Sequence, residues 1–231
     1  MSSVFRHFCS PFLYRDIVLD CKEKVDTFLQ LGERSRSIIH TKSLSLTYYG
    51  FETRAHQRKP RKILEIISRG ASLETLRLRR VQFHAETFAP SLLSRLGSVT
   101  VLTLHDCRFG GFEDFVSFIR CFPRCDVLRL HCCTWTRELP RLRFRGLPAH
   151  DLALVHLEIT STSRVEWGET LCDQRLIVGT AWLDLSGLKS FTYTAEEDAM
   201  SELVLERIAA CEFLEELDLS VNRPGAHGFG E

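Results

Sequence analysis

The chain has 231 residues, 44% of them apolar, and its 30 basic and 30 acidic side chains cancel. That is enough apolar material for the core of one large domain or two small ones, and the overall balance lacks the basic excess of a nucleic-acid-binding protein. The balance is not local: residues 1–150 hold 25 basic and 14 acidic side chains and residues 151–231 hold 5 and 16, so a net +11 precedes a net −11.

Residues 1–40 open with the aromatic-dense FRHFCSPFLYRDIVLD and are read as an N-terminal helical segment. A weak first strand, Ser43-Leu44-Ser-Leu46, begins the repetitive part at residue 41. The densest basic run, RKPRK at Arg58–Lys62, reads as the exposed start of a helix, with an import signal as the alternative. Pro60 would sit in the first turn, Ile63, Leu64, Ile66 and Ile67 would form the apolar side, and Gly70 would stop the helix.

From there the chain repeats one phrase. Leu73-Glu-Thr-Leu76-Arg-Leu78 is followed by Val99-Thr-Val-Leu102-Thr-Leu104 and Cys125-Asp-Val-Leu128-Arg-Leu130. Then come Leu152-Ala-Leu-Val155-His-Leu157, Leu188-Lys-Ser-Phe191-Thr-Tyr193 and Leu214-Glu-Glu-Leu217-Asp-Leu219. With Leu44 included, the anchors at 44, 76, 102, 128, 155, 191 and 217 are spaced by 32, 26, 26, 27, 36 and 26 residues. A recurring interval of this length marks a repeat architecture. In each short strand the paired apolar residues point to one face and the residue between them to the other. Cys107, Cys133 and Asn222 come after the strands, where a small polar group can bond the backbone of a neighbouring unit.

Helical spacing fills the intervals. Phe112, Phe115, Val116, Phe118, Ile119 and Phe122 recur at three and four residues before Pro123, and Met200, Leu203, Val204 and Ile208 form a later example. No unit buries its apolar side alone, so the units must stack. The expected fold class is α/β: a leucine-rich-repeat solenoid of about seven coils over residues 41–222, with a curved parallel sheet inside and helices outside, then a short tail at 223–231. Trp135–His150 reads as an extended loop, and Ser161–Gly187 as an insertion that adds a hairpin on the outer side. The tail RPGAHGFGE is too short and glycine-rich to make a returning helix, which leaves the last strand an uncovered edge or places a natural end further on.

Nine cysteines, an odd and unevenly spread set without an apolar leader, fit a reduced intracellular compartment with thiols as small packing groups. Apolar runs fall short of the roughly 20 residues that cross a bilayer. Cys121, Cys125, Cys132 and Cys133, with His105 and His131 nearby, raise a zinc site, but their spacing departs from paired C-x2-C ligands and the repeat register sends the thiols apart. A His105–Cys107 thiol centre fails for the same reason, since a buried rung cysteine is inert. Without a phosphate loop, a nucleophile elbow or a zinc-protease motif, neither enzymatic activity nor a cofactor is expected.

Residues between and just after the paired leucines would line the concave face of the sheet. One row is expected as Arg77, Thr103, Arg129, His156, Thr192 and Asp218, the next as Arg79, His105, His131, Glu158, Thr194 and Ser220. Their alternative is an ordinary solvated face. Arginines in the basic half also raise nucleic-acid binding, against which stand the acidic second half and the lack of a recognisable module.

The order SPFLYRDIVLD, helix, SLSL strand and then units such as CFPRCDVLRLHCCTW resembles the F-box/leucine-rich-repeat proteins of mushroom-forming fungi, over nearly the whole chain. Phe5–Tyr14 look like the segment that comes after the F-box, and the F-box itself is missing from this sequence. The resemblance implies a substrate-binding half of a cullin-type ubiquitin ligase receptor. Its protein substrate would lie on the concave face, and a Skp-type adaptor would be engaged only through an upstream F-box. The alternative is a stand-alone scaffold or inhibitor with no ligase link.

Overall fold

The structure is a computed structural model that describes residues 14–32, 36–48, 54–70, 72–83, 90–135, 152–160, 169–170, 183–195 and 202–221. Its centre is a parallel sheet of eight strands, built from β1 (Asp16–Leu19), β2 (Ser43–Thr47), β3 (Thr75–Arg79), β4 (Val101–His105), β6 (Val127–His131), β9 (His156–Thr160), β12 (Ser190–Ala195) and β13 (Glu216–Val221), in that order. The sheet order follows the chain order, as expected when each unit stacks on the one before it. Seven of these strands fall on the repeated phrase. The eighth, β1, lies in the segment read as helical, where among the described residues the helices are α1 (Lys22–Gly32) and a 3-10 turn (Arg36–His40).

Register explains the alternation of apolar residues. Ile17, Leu44, Leu76, Leu102, Leu128, Leu157, Phe191 and Leu217 are paired across successive strands, and so are Leu19, Leu46, Leu78, Leu104, Leu130, Ile159, Tyr193 and Leu219. Every member of both ladders is buried except the last, Leu217 and Leu219, which are 53% and 45% exposed. At about 1.5–3 kcal/mol per fully buried aliphatic side chain, these ladders are the main cohesive force between units. A third ladder enters from the turn before each strand: Leu73, Val99, Cys125, Leu154 and Leu188 are all buried.

One phrase has to be reframed. The fifth anchor is Leu157, not Val155, because Leu157 pairs with Leu128 and Phe191 and Ile159 follows it on the same face. Leu152, the residue that suggested the other frame, belongs to β8 (Leu152–Ala153), which pairs in parallel with β11 (Leu183–Asp184) in a separate two-stranded ladder. The error of two residues keeps the alternation of faces but displaces every side chain by one row.

Behind the main sheet runs a shorter one. β5 (Arg108–Phe109) pairs in parallel with β7 (Thr134–Trp135), and β10 (Glu169–Thr170) joins β7 antiparallel. Of Ser161–Gly187, read as adding an outer hairpin, the described residues supply β10 against β7 and a further strand, β11, against β8; 161–168 and 171–182 lie outside the described residues, as do 136–151. Phe83 and Phe109, 26 positions apart, stack with ring centroids at 4.3 Å and an interplanar angle of 3°. Phe118 of α4 (Phe112–Ile119) lies 4.3 Å from Phe83 and 5.2 Å from Phe122. This aromatic column fills the volume between the inner ladders and the outer turn.

The helix α2 (Arg54–Ile67) begins six residues before Pro60, so the proline sits inside it and not in its first turn. Its apolar side, Ile63, Leu64, Ile66 and Ile67, is buried as the spacing requires, and Lys59 forms an ion pair with Asp26 of α1 at 2.6 Å. Gly70 does close the region, but for a steric reason. A Cβ there would lie 2.6 Å from the Cα and 2.7 Å from the carbonyl oxygen of Ile39 in the preceding unit. Among the described residues the remaining helices are α3 (Pro90–Leu93), a 3-10 turn directly after it (Ser94–Leu96) and α5 (Glu202–Ala209).

Candidate functional site

The open face of the main sheet carries the residues that the ladders turn outward. Its first row reads Ser45, Arg77, Thr103, Arg129, Glu158, Thr192, Asp218, and its second Thr47, Arg79, His105, His131, Thr160, Thr194, Ser220. Ten of the twelve residues expected on this face stand where the phrase put them. His156 does not: it lies one row earlier, beside Val127 and Ser190. Glu158 moves into the place assigned to His156, and Thr160 takes the place assigned to Glu158.

The shift changes the chemistry. Glu158 now neighbours Arg129, and the two form an ion pair at 3.1 Å that marks the boundary between basic and acidic halves of the face. His131 donates to or accepts from Thr160 through Nδ1 at 3.1 Å, while its Nε2 lies 3.7 Å from Glu158. Burial holds the His131 imidazole below the usual histidine range, opposed by Glu158 and reinforced by His105 and Arg129. His105 lies next in the same row, with ring centroids 5.6 Å apart. Its Nδ1 is 3.0 Å from the Asp106 carboxylate, although hydrogen-bond geometry is not met. Arg80 Nε lies 3.7 Å from the same carboxylate oxygen, Asp106 Oδ2. Sequence reasoning placed neither Asp106 nor Arg80 beside these rows, yet both follow their strands directly and share a left-handed backbone, with φ of 52° and 57°.

Arg77 and Arg79 differ from the other arginines on this face. Both are exposed, and among the described residues neither side chain forms an ion pair. At the other end Thr194 and Ser220 hydroxyls bond at 2.8 Å, and Lys189 pairs with Glu215 at 3.1 Å just outside the rows.

The thiols are dispersed by the register. Cys107 and Cys133 occupy equivalent places and are buried, each donating from Sγ to the second leucine carbonyl of the preceding strand, Leu78 at 3.4 Å and Leu104 at 3.5 Å. They are the rungs that the phrase suggested; Asn222 lies outside the described residues. Burial pushes the Cys121 and Cys125 thiols up to about 12, and Cys133 upward as well. Such thiols stay protonated and unreactive near neutrality. Among the described residues no three His, Cys, Asp or Glu side chains converge as metal ligands, and no helix is long and apolar enough to cross a membrane.

A family model described as Leucine Rich Repeat matches residues 98–123, the unit that comprises β4, β5 and α4. The match supports a leucine-rich-repeat protein, and a repeat of this kind suggests a protein-interaction module. No curated protein matches the chain.

Proposed function

We propose that the chain is a non-enzymatic protein-recognition unit, a leucine-rich-repeat solenoid that reads its partner on the open face of the main sheet. The observation that carries this reading is the division of labour between the two faces. The inner ladders and rung cysteines are committed to packing, while the open face arrays charged and hydroxyl side chains in two regular rows. A lattice of this kind offers several partly independent contacts to one extended partner.

In its finer form the reading follows the resemblance: the substrate-binding half of an F-box receptor, working in the cytoplasm or nucleus, with a Skp-type adaptor engaged only through an F-box. SPFLYRDIVLD and the strand order after it support that form, and β1 is formed by its last residues. A stand-alone scaffold without a ligase link is the alternative, and co-purification with the adaptor separates the two.

The recognition reading is tested by installing a photo-crosslinking residue at Thr103 or Thr192 on the open face, and at Ser91 of α3 as an off-face control. Partner adducts enriched at the first two positions support it. Adducts equal at all three, or none above background, would remove it.

A further inference from the structure

The open face is uneven in how its cations are used. Arg129 is engaged by Glu158, and Arg80 approaches Asp106, but Arg77 and Arg79 have no such counter-charge among the described residues. They alternate along β3, so their side chains leave the sheet about 7 Å apart along the strand. An extended peptide repeats its own side chains on one side at the same interval. Carboxylates at alternate positions of such a peptide would therefore meet both guanidiniums, whose forked donors suit bidentate contact with carboxylates.

Beside this pair stand His105 and His131, in the same row as Arg79 on the next two strands. The charged groups around the two imidazoles, among the described residues, are Arg79 and Arg80 at the end of β3, Asp106 after β4, Arg129 on β6 and Glu158 on β9. The two acids are already shared with arginines. An added anion lying across β3 and β4 would offset the repulsion that Arg129 exerts on the His131 imidazolium, so it favours proton uptake there.

We propose that the early part of the open face is a site for an extended acidic segment of a partner protein, held by Arg77 and Arg79 with His105 and His131 beside them, and that its binding takes up protons. This rests on the recognition reading and narrows it to one chemistry and one end of the sheet. A nucleic-acid strand fits less well. Among the described residues only two arginines of this face, Arg77 and Arg79, stand without a counter-charge, and Glu158, Asp218 and Glu216 lie further along the same face, where a continuous phosphate backbone would meet them.

The experiment is fluorescence anisotropy on the full chain with a labelled peptide of roughly ten residues alternating Glu and Ser, long enough to lie along the whole of the five-residue strand β3. The matching Lys–Ser peptide and a single-stranded oligothymidine serve as comparisons. The Glu–Ser peptide should bind, and replacing Arg77 and Arg79 together by alanine should weaken it by about tenfold or more, since charge-assisted contacts are lost. Glu206→Gln, on the exposed side of α5 and off the open face, should leave affinity unchanged within about twofold, because the charge lies more than a Debye length away. Lowering the pH from about 7.5 to about 5.5 should tighten binding while the peptide carboxylates stay ionised. The paired variant His105→Gln and His131→Gln should abolish that dependence and retain binding at the higher pH.

The proposal is overturned if the Glu–Ser peptide does not bind, if binding ignores the arginine replacement in a chain of unchanged circular dichroism, or if the pH response survives loss of both histidines. Tighter binding of the oligothymidine, falling steeply with salt, would transfer the site to nucleic acid and equally overturn it. Crosslinks to a partner at Thr192 together with failure of the peptide would sink this inference and leave the recognition reading standing. Absence of face-specific crosslinks would sink the recognition reading itself.

Discussion

Replacing Gly70 by alanine adds one methyl group at a place where the structure leaves no room. The new Cβ would meet the Cα, carbonyl oxygen and carbonyl carbon of Ile39 at 2.6, 2.7 and 2.9 Å. All three are backbone atoms, so no rotamer change relieves the overlap. The Ile39 carbonyl is also held by the Ser72 hydroxyl at 2.8 Å, which ties the approaching segments together. Opening this contact by the several tenths of an ångström required for van der Waals separation should cost about 1–3 kcal/mol, the range of overpacked interiors. In a chain of this size each kcal/mol corresponds to roughly 2–4 °C in midpoint, so a fall of roughly 2–12 °C is expected. Gly187 is the internal control: a Cβ there meets nothing within 4 Å, and Gly187→Ala should be neutral or stabilise by up to about 1 kcal/mol through the unfolded chain. Thermal and urea unfolding followed by circular dichroism compare the two. Equal stability of Gly70→Ala and Gly187→Ala would refute the close approach of the α2 exit to the preceding unit.

Phe109→Ala removes the centre of the aromatic column, between Phe83 at 4.3 Å and Phe115 at 5.3 Å, and should lower stability by about 3–5 kcal/mol in urea titration. Leu102→Ala should cost about 2–5 kcal/mol, whereas Leu217→Ala, in the same ladder but largely exposed, should cost a small fraction of that; equal losses would contradict the burial difference. Native Cys121, Cys125 and Cys133 should resist a thiol-directed disulfide reagent that labels them after unfolding. Their raised values also mean that unfolding releases thiol protons as pH rises above the ordinary thiol value near 9, so stability should decline from there toward about 12. His131 has the opposite sign of linkage. Its imidazole is held below the ordinary value, so its contribution is intact above that value and is lost as pH falls through it; His131→Gln should flatten the mildly acidic limb of a stability profile.

The ladders were legible in sequence because alternation in a buried parallel sheet is imposed residue by residue. Leu76, Leu102 and Leu128 repeat at 26 because each lies directly beside the last. The fifth unit was misframed because Leu152, Leu154, Val155, Leu157 and Ile159 satisfy the phrase in two frames, and the regular period favours the wrong one. The two frames are separated by the pairing of Leu152 with Leu183, a contact between distant segments that no local pattern encodes. The same error hid the Arg129–Glu158 pair, since it placed a histidine opposite the arginine. The strand β1 was legible in principle: Ile17 and Leu19 alternate 27 residues before Leu44 and Leu46, but the resemblance, which leads from SPFLYRDIVLD through a helix to the SLSL strand, drew the reading toward a helical segment. Pro60 misled through its usual preference for a first turn, which the preceding helical residues override.

Arg80, Asp106 and Cys132 follow successive strands with φ of 57°, 52° and 52°, and have no side-chain chemistry in common. Each donates its backbone N–H to the end of the next strand: Arg80 to the His105 carbonyl, Asp106 to that of His131, Cys132 to that of Thr160, all at 2.8 Å. The bend is therefore enforced by the adjoining layer and not by the residue that makes it, at a conformational cost of about 1 kcal/mol each. Evolution can rewrite these three corners, which border the open face, without redesigning the framework. The shape of each corner belongs to the stack, while its side chain is left to the open face it borders.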